Sequence, residues 1–336
     1  MLTGLWFTGA GDDGPDVGAT QGLEVARADL EVPQQRRKRR PGPPVMEQRY
    51  AALRSQAAVA QHRRLEQRIA REIARRKREI ARRKEERRLK KLRTTPYSFT
   101  IGSFNVLGSQ HSTPKGQKPG FPPASVRTPR AAALARAHGV DILGTQELQE
   151  DQLNGLVAGT GMTAWPGYAW GAAETDNSIL YDDDTFEFVS GDVFHITFMG
   201  RTRPQPVLRL RHRETTRELY VLNVHPSAGD GQYAAERQRG HATIAAMVDE
   251  LDDSGLPVLL TGDMNDREAF YCRVVATTSL TASNGGGSGC APPPSPLAVD
   301  WVVGSGVTWT GYVRDTSPVE NKTSDHFFIS ATAHVE

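Results

Sequence analysis

Between residues 97 and 336, hydrophobic segments short enough to be strands end repeatedly in a small polar motif. The motifs are Phe104-Asn105-Val106, Gln146-Glu147, Asn223-Val224-His225, Gly262-Asp263-Met264-Asn265, Asp300-Trp301 and Ser324-Asp325-His326. Strands of one sheet lie side by side, so their ends meet at one edge although the residues are far apart in sequence. Six such ends would gather Asn, Glu, Asp and His into one cluster, a set suited to a hard divalent cation and a phosphate.

The segments between the motifs support this reading. Residues 97–106 alternate and are rich in β-formers, as a first strand would be. Further strands are expected at 140–145, 177–182, 186–199, 205–212, 218–224, 256–261, 297–303, 307–312 and 327–334. Ala-rich stretches at 130–138 and 232–251 read as helices, and 109–128 and 279–297 as loops. Strands interspersed with a few helices imply an α/β body with two sheets.

The N-terminal part is different. Residues 1–45 are rich in Gly, Asp and Pro and read as disordered; they include the basic run Arg36-Arg37-Lys38-Arg39-Arg40. Met46 follows Pro41-Gly42-Pro43-Pro44 and is a candidate for the true start of translation. Residues 46–93 contain neither Gly nor Pro and form a long window of high helix propensity. They carry 18 Lys/Arg against 6 Asp/Glu, a net +12, whereas residues 94–336 carry 17 against 27, a net −10. Segments 72–77 and 79–84 repeat one another at a heptad interval. The apolar stripe of Leu65, Ile69, Ile73 and Ile80 is thin, so any coiled coil would be weak. The readings are a solvated single helix, an arm for an anionic surface or nucleic acid, and a weak oligomerisation helix.

No apolar run reaches 18 residues, so no transmembrane helix is expected. The first residues do not read as a signal peptide, which points to the cytoplasm. Cys272 and Cys290 flank a Gly-rich loop. If bonded they would point to an extracellular or virion setting; the alternative is two unrelated thiols.

Each motif has a chemical rationale. Glu147, at a strand end, is a natural ligand for Mg²⁺. Asn105 offers a neutral carbonyl oxygen and an amide, suited to holding a metal-bound carboxylate or a phosphate. Asp263 and Asn265, two apart, would face the same side if the chain stays extended. Asp263 could take a proton from water and Asn265 could hold a phosphate oxygen. His326 can act as a base or as a cationic clamp, with Asp300 to fix its tautomer. His225 could protonate a leaving oxygen or contact the phosphate.

Taken together and in this order, the six motifs resemble the endonuclease/exonuclease/phosphatase superfamily, also called the deoxyribonuclease I-like fold, over residues 97–336. The resemblance implies a four-layer α/β/β/α sandwich of two mixed sheets in a domain spanning 94–336. It implies Mg²⁺ or Mn²⁺ held chiefly by Glu147, with Asn105 and Asp325 near the metal. Asp263 would position or deprotonate the water, Asn265 and His225 would hold phosphate oxygens, and family position makes Asn177 a phosphate contact. Thr145 before Gln146 and Phe327-Phe328 after His326 depart from commoner family residues.

The leading expectation is a metal-dependent phosphodiesterase that hydrolyses nucleic acid, DNA above all, as an endonuclease. The alternatives are a phosphomonoesterase or a phosphodiesterase of lipids or small molecules, and a catalytically silent structural or assembly protein.

Overall fold

The computed structural model describes residues 44–336; the disorder expected over 1–45 lies, but for its last two residues, outside them. Helix α1 (Val45–Arg93) follows the predicted segment and buries no residue. Pairs such as His62–Glu66 and Arg82–Glu86 lie one turn apart along it, the spacing that supports an exposed helix. The chain divides into two units within this helix, the second being Ala74–Glu336. The rest of the description concerns that unit.

Its strands form two six-stranded mixed sheets. The first has the order β11 (Thr308–Asp315), β12 (Phe328–Val335), β1 (Tyr97–Asn105), β2 (Ile142–Gln146), β4 (Ile179–Tyr181) and β3 (Thr163–Trp165). The second has the order β5 (Phe186–Phe198), β6 (Arg201–His212), β7 (Glu218–Val224), β8 (Val258–Asp263), β10 (Asp300–Ser305) and β9 (Thr281–Ala282).

Alternation along the strands builds the layers. Leu259 of β8 and Val302 of β10 pack with Ile101 of β1 and Ile142 of β2 in a core between the sheets. Their neighbours Leu260 and Val303 point the other way, into a second core with Ile244 and Val248 of α4 (Gln232–Asp252) and Phe270 of α5 (Glu268–Arg273). Phe104 and Leu143 face a third core with Ala131 of α2 (Ala124–Ala137) and Leu153 and Leu156 of α3 (Glu150–Thr160). A residue period of two on strands buried on both faces gives the four-layer α/β/β/α sandwich. Each fully buried Leu or Ile stabilises it by about 1.5–3 kcal/mol.

Two helices depart from expectation. Helix α2 starts at Ala124, not at residue 130, and includes Pro129. Tertiary hydrogen bonds anchor its first turn, where buried Arg127 donates to Pro122 O and Val106 O. Helix α3 is not evident from the sequence, because Gly155 and Gly159 depress its propensity. Both are required by close packing on α2: a Cβ at Gly155 would lie 2.7 Å from Thr128 Cγ2, and one at Gly159 2.7 Å from Ala132 Cβ. A Gln149/Gln152 capping box starts α3, and Gly161 in the left-handed region ends it.

Within the expected loop 279–297 lies the short strand β9, and Cys272 and Cys290 are bonded to each other across its flanks. Among the described residues, no helix is long and apolar enough to cross a membrane.

Candidate active site

Sheet topology brings the six motifs together. Strands β1 and β2 are parallel, with Asn105 opposite Gln146. Strands β7 and β8 are likewise parallel, with Val224 opposite Gly262. Antiparallel β10 begins where β8 ends, so Asp300 lies opposite Asp263. Antiparallel β12 begins beside the end of β1, just after Asp325 and His326. Parallel strands end, and antiparallel strands start, at one shared edge.

The two sheets are locked together behind that edge. Buried Asn223 donates through Nδ2 to Thr145 O (2.6 Å) and Asn177 O (2.8 Å), and its Oδ1 accepts from Gln146 Nε2 (2.6 Å) and Thr261 Oγ1 (3.1 Å). Gly144 leaves room for this approach: a Cβ there would collide with Thr261 Oγ1 and Asn223 Oδ1. Asn223 thus holds the sheets in register and does not face the cleft.

Asp263 is the centre of the edge. Its Oδ2 accepts from Asn105 Nδ2 (3.1 Å) and lies 3.4 Å from His225 Nε2 and 3.5 Å from His326 Nε2. Its Oδ1 accepts the Asn265 N–H at 2.9 Å. Burial alone would raise this carboxyl, but the His326 and His225 imidazoles and the Asn265 N–H outweigh it and hold the pKa well below the usual range.

Behind His326, both oxygens of Asp300 reach Nδ1, at 2.9 and 3.2 Å. Nδ1–H therefore points at Asp300 and Nε2 at the cleft. Burial disfavours the imidazolium, yet Asp300 and Asp263 raise the His326 pKa well above its ordinary value. Ligand-type atoms of Asp263, Asp300 and His326 lie within 4.8 Å of one another. The imidazole, hydrogen-bonded to Asp300 and facing Asp263 at 3.5 Å, stands between the two carboxylates, and a cation at the centre of the trio would have to displace the ring.

A hard-cation site fits better at the neighbouring carboxylates, Glu147 and Asp325, which line the same cleft. Glu147 is bracketed by Asn105 Nδ2 (3.0 Å) and the Gly108 N–H (3.1 Å). Each carboxylate already has a cationic or potentially cationic neighbour: His111 Nε2 lies 3.4 Å from Glu147, and Lys118 Nζ 2.9 Å from Asp325. A pair of carboxylates lining one polar cleft is a donor set that Mg²⁺ or Mn²⁺ takes.

Three expectations need correction. Asn105 does not present its oxygen to the cleft, because Oδ1 accepts the Leu107 N–H (3.0 Å), leaving Nδ2 to bracket Glu147 and Asp263. Asn177 does not line the cleft; it is buried and donates to Gln205 Oε1 at 3.1 Å. The chain is not extended through Asn265, which has φ +49°. Its N–H turns back to Asp263, and its Nδ2 donates to Pro226 O (3.0 Å), although the residue still lines the cleft.

Other cleft residues carry no sequence signal. His111 and Lys118 sit in what reads as a featureless Pro/Gly/Lys loop, and Arg203 lies near the start of β6, opposite Ile196 of β5, where nothing in the sequence marks it as a site residue. Buried Arg127 ties that loop to the segment before Asp325, donating to Val106 O (2.7 Å), Ser112 Oγ (3.0 Å) and Thr323 O (3.2 Å). Six non-glycine residues among those described have positive φ, and four of them (Leu107, Glu147, Met199 and Asn265) line this cleft. Strained backbone of this kind costs of order 1–3 kcal/mol per residue and concentrates where side chains must be aimed.

Comparison with known proteins agrees with this fold. A structure of an endonuclease/exonuclease/phosphatase family protein from Bacteroides thetaiotaomicron shares the fold at 19% identity and a TM-score of 0.57, covering 72% of this chain and 99% of that one. The mannosyl-6-phosphatase of the same bacterium shares it at 19% identity and TM-score 0.54, covering 69% and 98%. The human nocturnin catalytic domain with bound sulfate shares it at 16% identity and TM-score 0.54, covering 70% and 94%. No curated protein matches the sequence. Residues 102–326 match the family model described as the Endonuclease/Exonuclease/phosphatase family. That match runs from the first strand to the closing His326, through each of the six motifs, and the chain belongs to this family of phosphoric ester hydrolases.

Proposed function

We propose that the protein is a divalent-metal-dependent phosphodiesterase that hydrolyses nucleic acid, DNA above all, as an endonuclease. The observation that carries the reading is the ring of donors around Asp263 Oδ2, with His326 backed by Asp300. Glu147 and Asp325 would hold Mg²⁺ or Mn²⁺, which supplies Lewis-acid polarisation and neutralises developing charge. His225 and His326 present Nε2 to the position of a phosphate oxygen. Asp263, whose carboxylate is stabilised by the two imidazoles and the Asn265 N–H, would position or deprotonate the attacking water. Asp300 keeps the His326 ring aimed.

Helix α1 supports a polyanionic substrate, because its 18 Lys/Arg all lie on a segment with no buried residue. Phosphate contacts from such a segment give affinity without sequence readout.

The test is incubation of the full chain with supercoiled plasmid, RNA and small phosphoesters, with Mg²⁺ or Mn²⁺ and with EDTA. Metal-dependent nicking that EDTA stops is the expected result. Intact nucleic acid together with phosphate release from a sugar phosphate, the reaction named for the mannosyl-6-phosphatase of like fold, would replace this reading with a phosphomonoesterase.

A further inference from the structure

The β5–β6 hairpin ends against the candidate site, and its tip is built for that place. Phe198 and Met199 both line the cleft, where the volume of about 380 Å³ lies in the range of small-molecule sites, roughly 300–1,000 Å³. Met199 is 44% exposed and holds φ +48°, a conformation unfavourable for its side chain. Two buried residues hold the turn in place. Ser227 Oγ accepts the Met199 N–H at 2.9 Å, and Glu236 accepts the Gly200 N–H at 3.1 Å and the Ser227 hydroxyl at 3.0 Å. Phe198 packs on His225 with ring centroids 4.6 Å apart, and His225 is the residue whose Nε2 faces Asp263. An apolar ledge therefore stands one ring away from the position proposed for the phosphate.

The same cleft holds a planar polar edge. Gln149 donates to Asp176 (2.7 Å), and Asp176 also accepts from Arg203. These three groups fix one another's orientation and present amide, carboxylate and guanidinium edges.

We infer that the Phe198–Met199 ledge and the Gln149–Asp176–Arg203 edge form a subsite for a nucleobase attached to the reacting phosphate. The inference rests on the reading of this cleft as a phosphoesterase site. An aromatic ring with an exposed thioether offers a face to stack on, and every base has a π-face to meet it. The polar edge matches the hydrogen-bonding perimeter of a base. A sugar without a base would leave the apolar ledge in water.

Non-hydrolysable phosphonate analogues of adenosine 5′-monophosphate and ribose 5-phosphate separate base from sugar without turnover. Their binding to the full chain with Mg²⁺ can be followed by titration calorimetry. The adenosine analogue should bind about 5- to 150-fold tighter, the gain expected from stacking one base. Met199→Ala and Phe198→Leu should each shrink that ratio severalfold, and Met199→Ala should leave the ribose analogue's affinity unchanged. Equal affinity of the two analogues for the wild-type chain, or tighter binding of the ribose analogue, overturns the subsite. So does an unaltered ratio in both variants when their thermal unfolding matches wild type. A base preference that tracks the ledge in a protein that leaves DNA and RNA intact supports the subsite while removing the nuclease reading, so the two failures are distinguishable.

Discussion

Asp300 holds the His326 ring by both carboxylate oxygens, at 2.9 and 3.2 Å from Nδ1, from a strand that starts where the Asp263 strand ends. The contact holds the Nδ1–H and aims Nε2 at Asp263 across 3.5 Å. Asp300→Asn keeps the shape but removes a charge that favours the imidazolium and can turn an N–H toward Nδ1, which misaims the ring. Turnover should fall about 10²–10³-fold, the size of one lost charge-stabilising donor, while thermal stability changes little. Steady-state kinetics on whichever phosphoester the wild type cleaves provide the check; unchanged kcat would remove Asp300 from the machinery.

Glu147 has φ +59° and is held by Asn105 and the Gly108 N–H, so its carboxylate is aimed at some backbone cost. Glu147→Gln keeps the side-chain volume and removes the charge. Mn²⁺ binding, measured by titration calorimetry or by the disappearance of the free-ion EPR signal, should weaken at least tenfold, and activity should fall with it. EDTA should abolish wild-type activity, and added Mg²⁺ or Mn²⁺ should restore it. Undiminished Mn²⁺ affinity in the variant would place the cation elsewhere.

His241 is fully buried, contacts Met264 O at 3.3 Å through Nε2, and has no partner for Nδ1. Burial pushes its pKa down from 6.5 to about 4, despite the backbone contact that favours the cation. Above pH 6.5 the ring is neutral in both folded and unfolded chains, and stability is unaffected. Between 6.5 and about 4 only the unfolded chain takes up the proton, so stability falls with pH, by about 3 kcal/mol from this group when complete. Denaturant unfolding of wild type and His241→Gln at pH 7.5 and 4.5 isolates the contribution. The variant should be destabilised markedly less on acidification; equal destabilisation would show that His241 is not the group responsible.

Helix α1 presents Arg82, Arg83, Lys84 and Arg87 within less than two turns, all exposed. Replacing these four by Gln should weaken nucleic-acid binding equally for different sequences. It should also lower the slope of log affinity against log salt by up to about 0.9 for each phosphate that is no longer neutralised. Fluorescence anisotropy with two unrelated duplexes over a salt series reads both effects. An unchanged slope would mean that this part of the helix does not touch phosphate.

Much of this protein can be read from its sequence because strand chemistry is local. The alternation through Leu259, Leu260, Val302 and Val303 already specifies two buried faces, and the polar residues at the strand boundaries mark where the edge must lie. The uniform composition of 46–93 likewise specifies a helix without help from the rest of the chain. Helix α3 is hidden because Gly155 and Gly159 answer to Thr128 and Ala132, residues of another helix. The direction of each site side chain is also a tertiary matter. Asn105 and Asn177 carry the same amide; Leu107 and two carboxylates set one at the edge of the site, whereas Gln205 draws the other into the interior. Sequence alone determined which residues reach the common edge, because strand period and strand ends are properties of neighbouring residues. Only the tertiary structure decided which of them face the cleft and which, like Asn223, hold the sheets together, because hydrogen-bond partners come from segments that sequence does not place side by side.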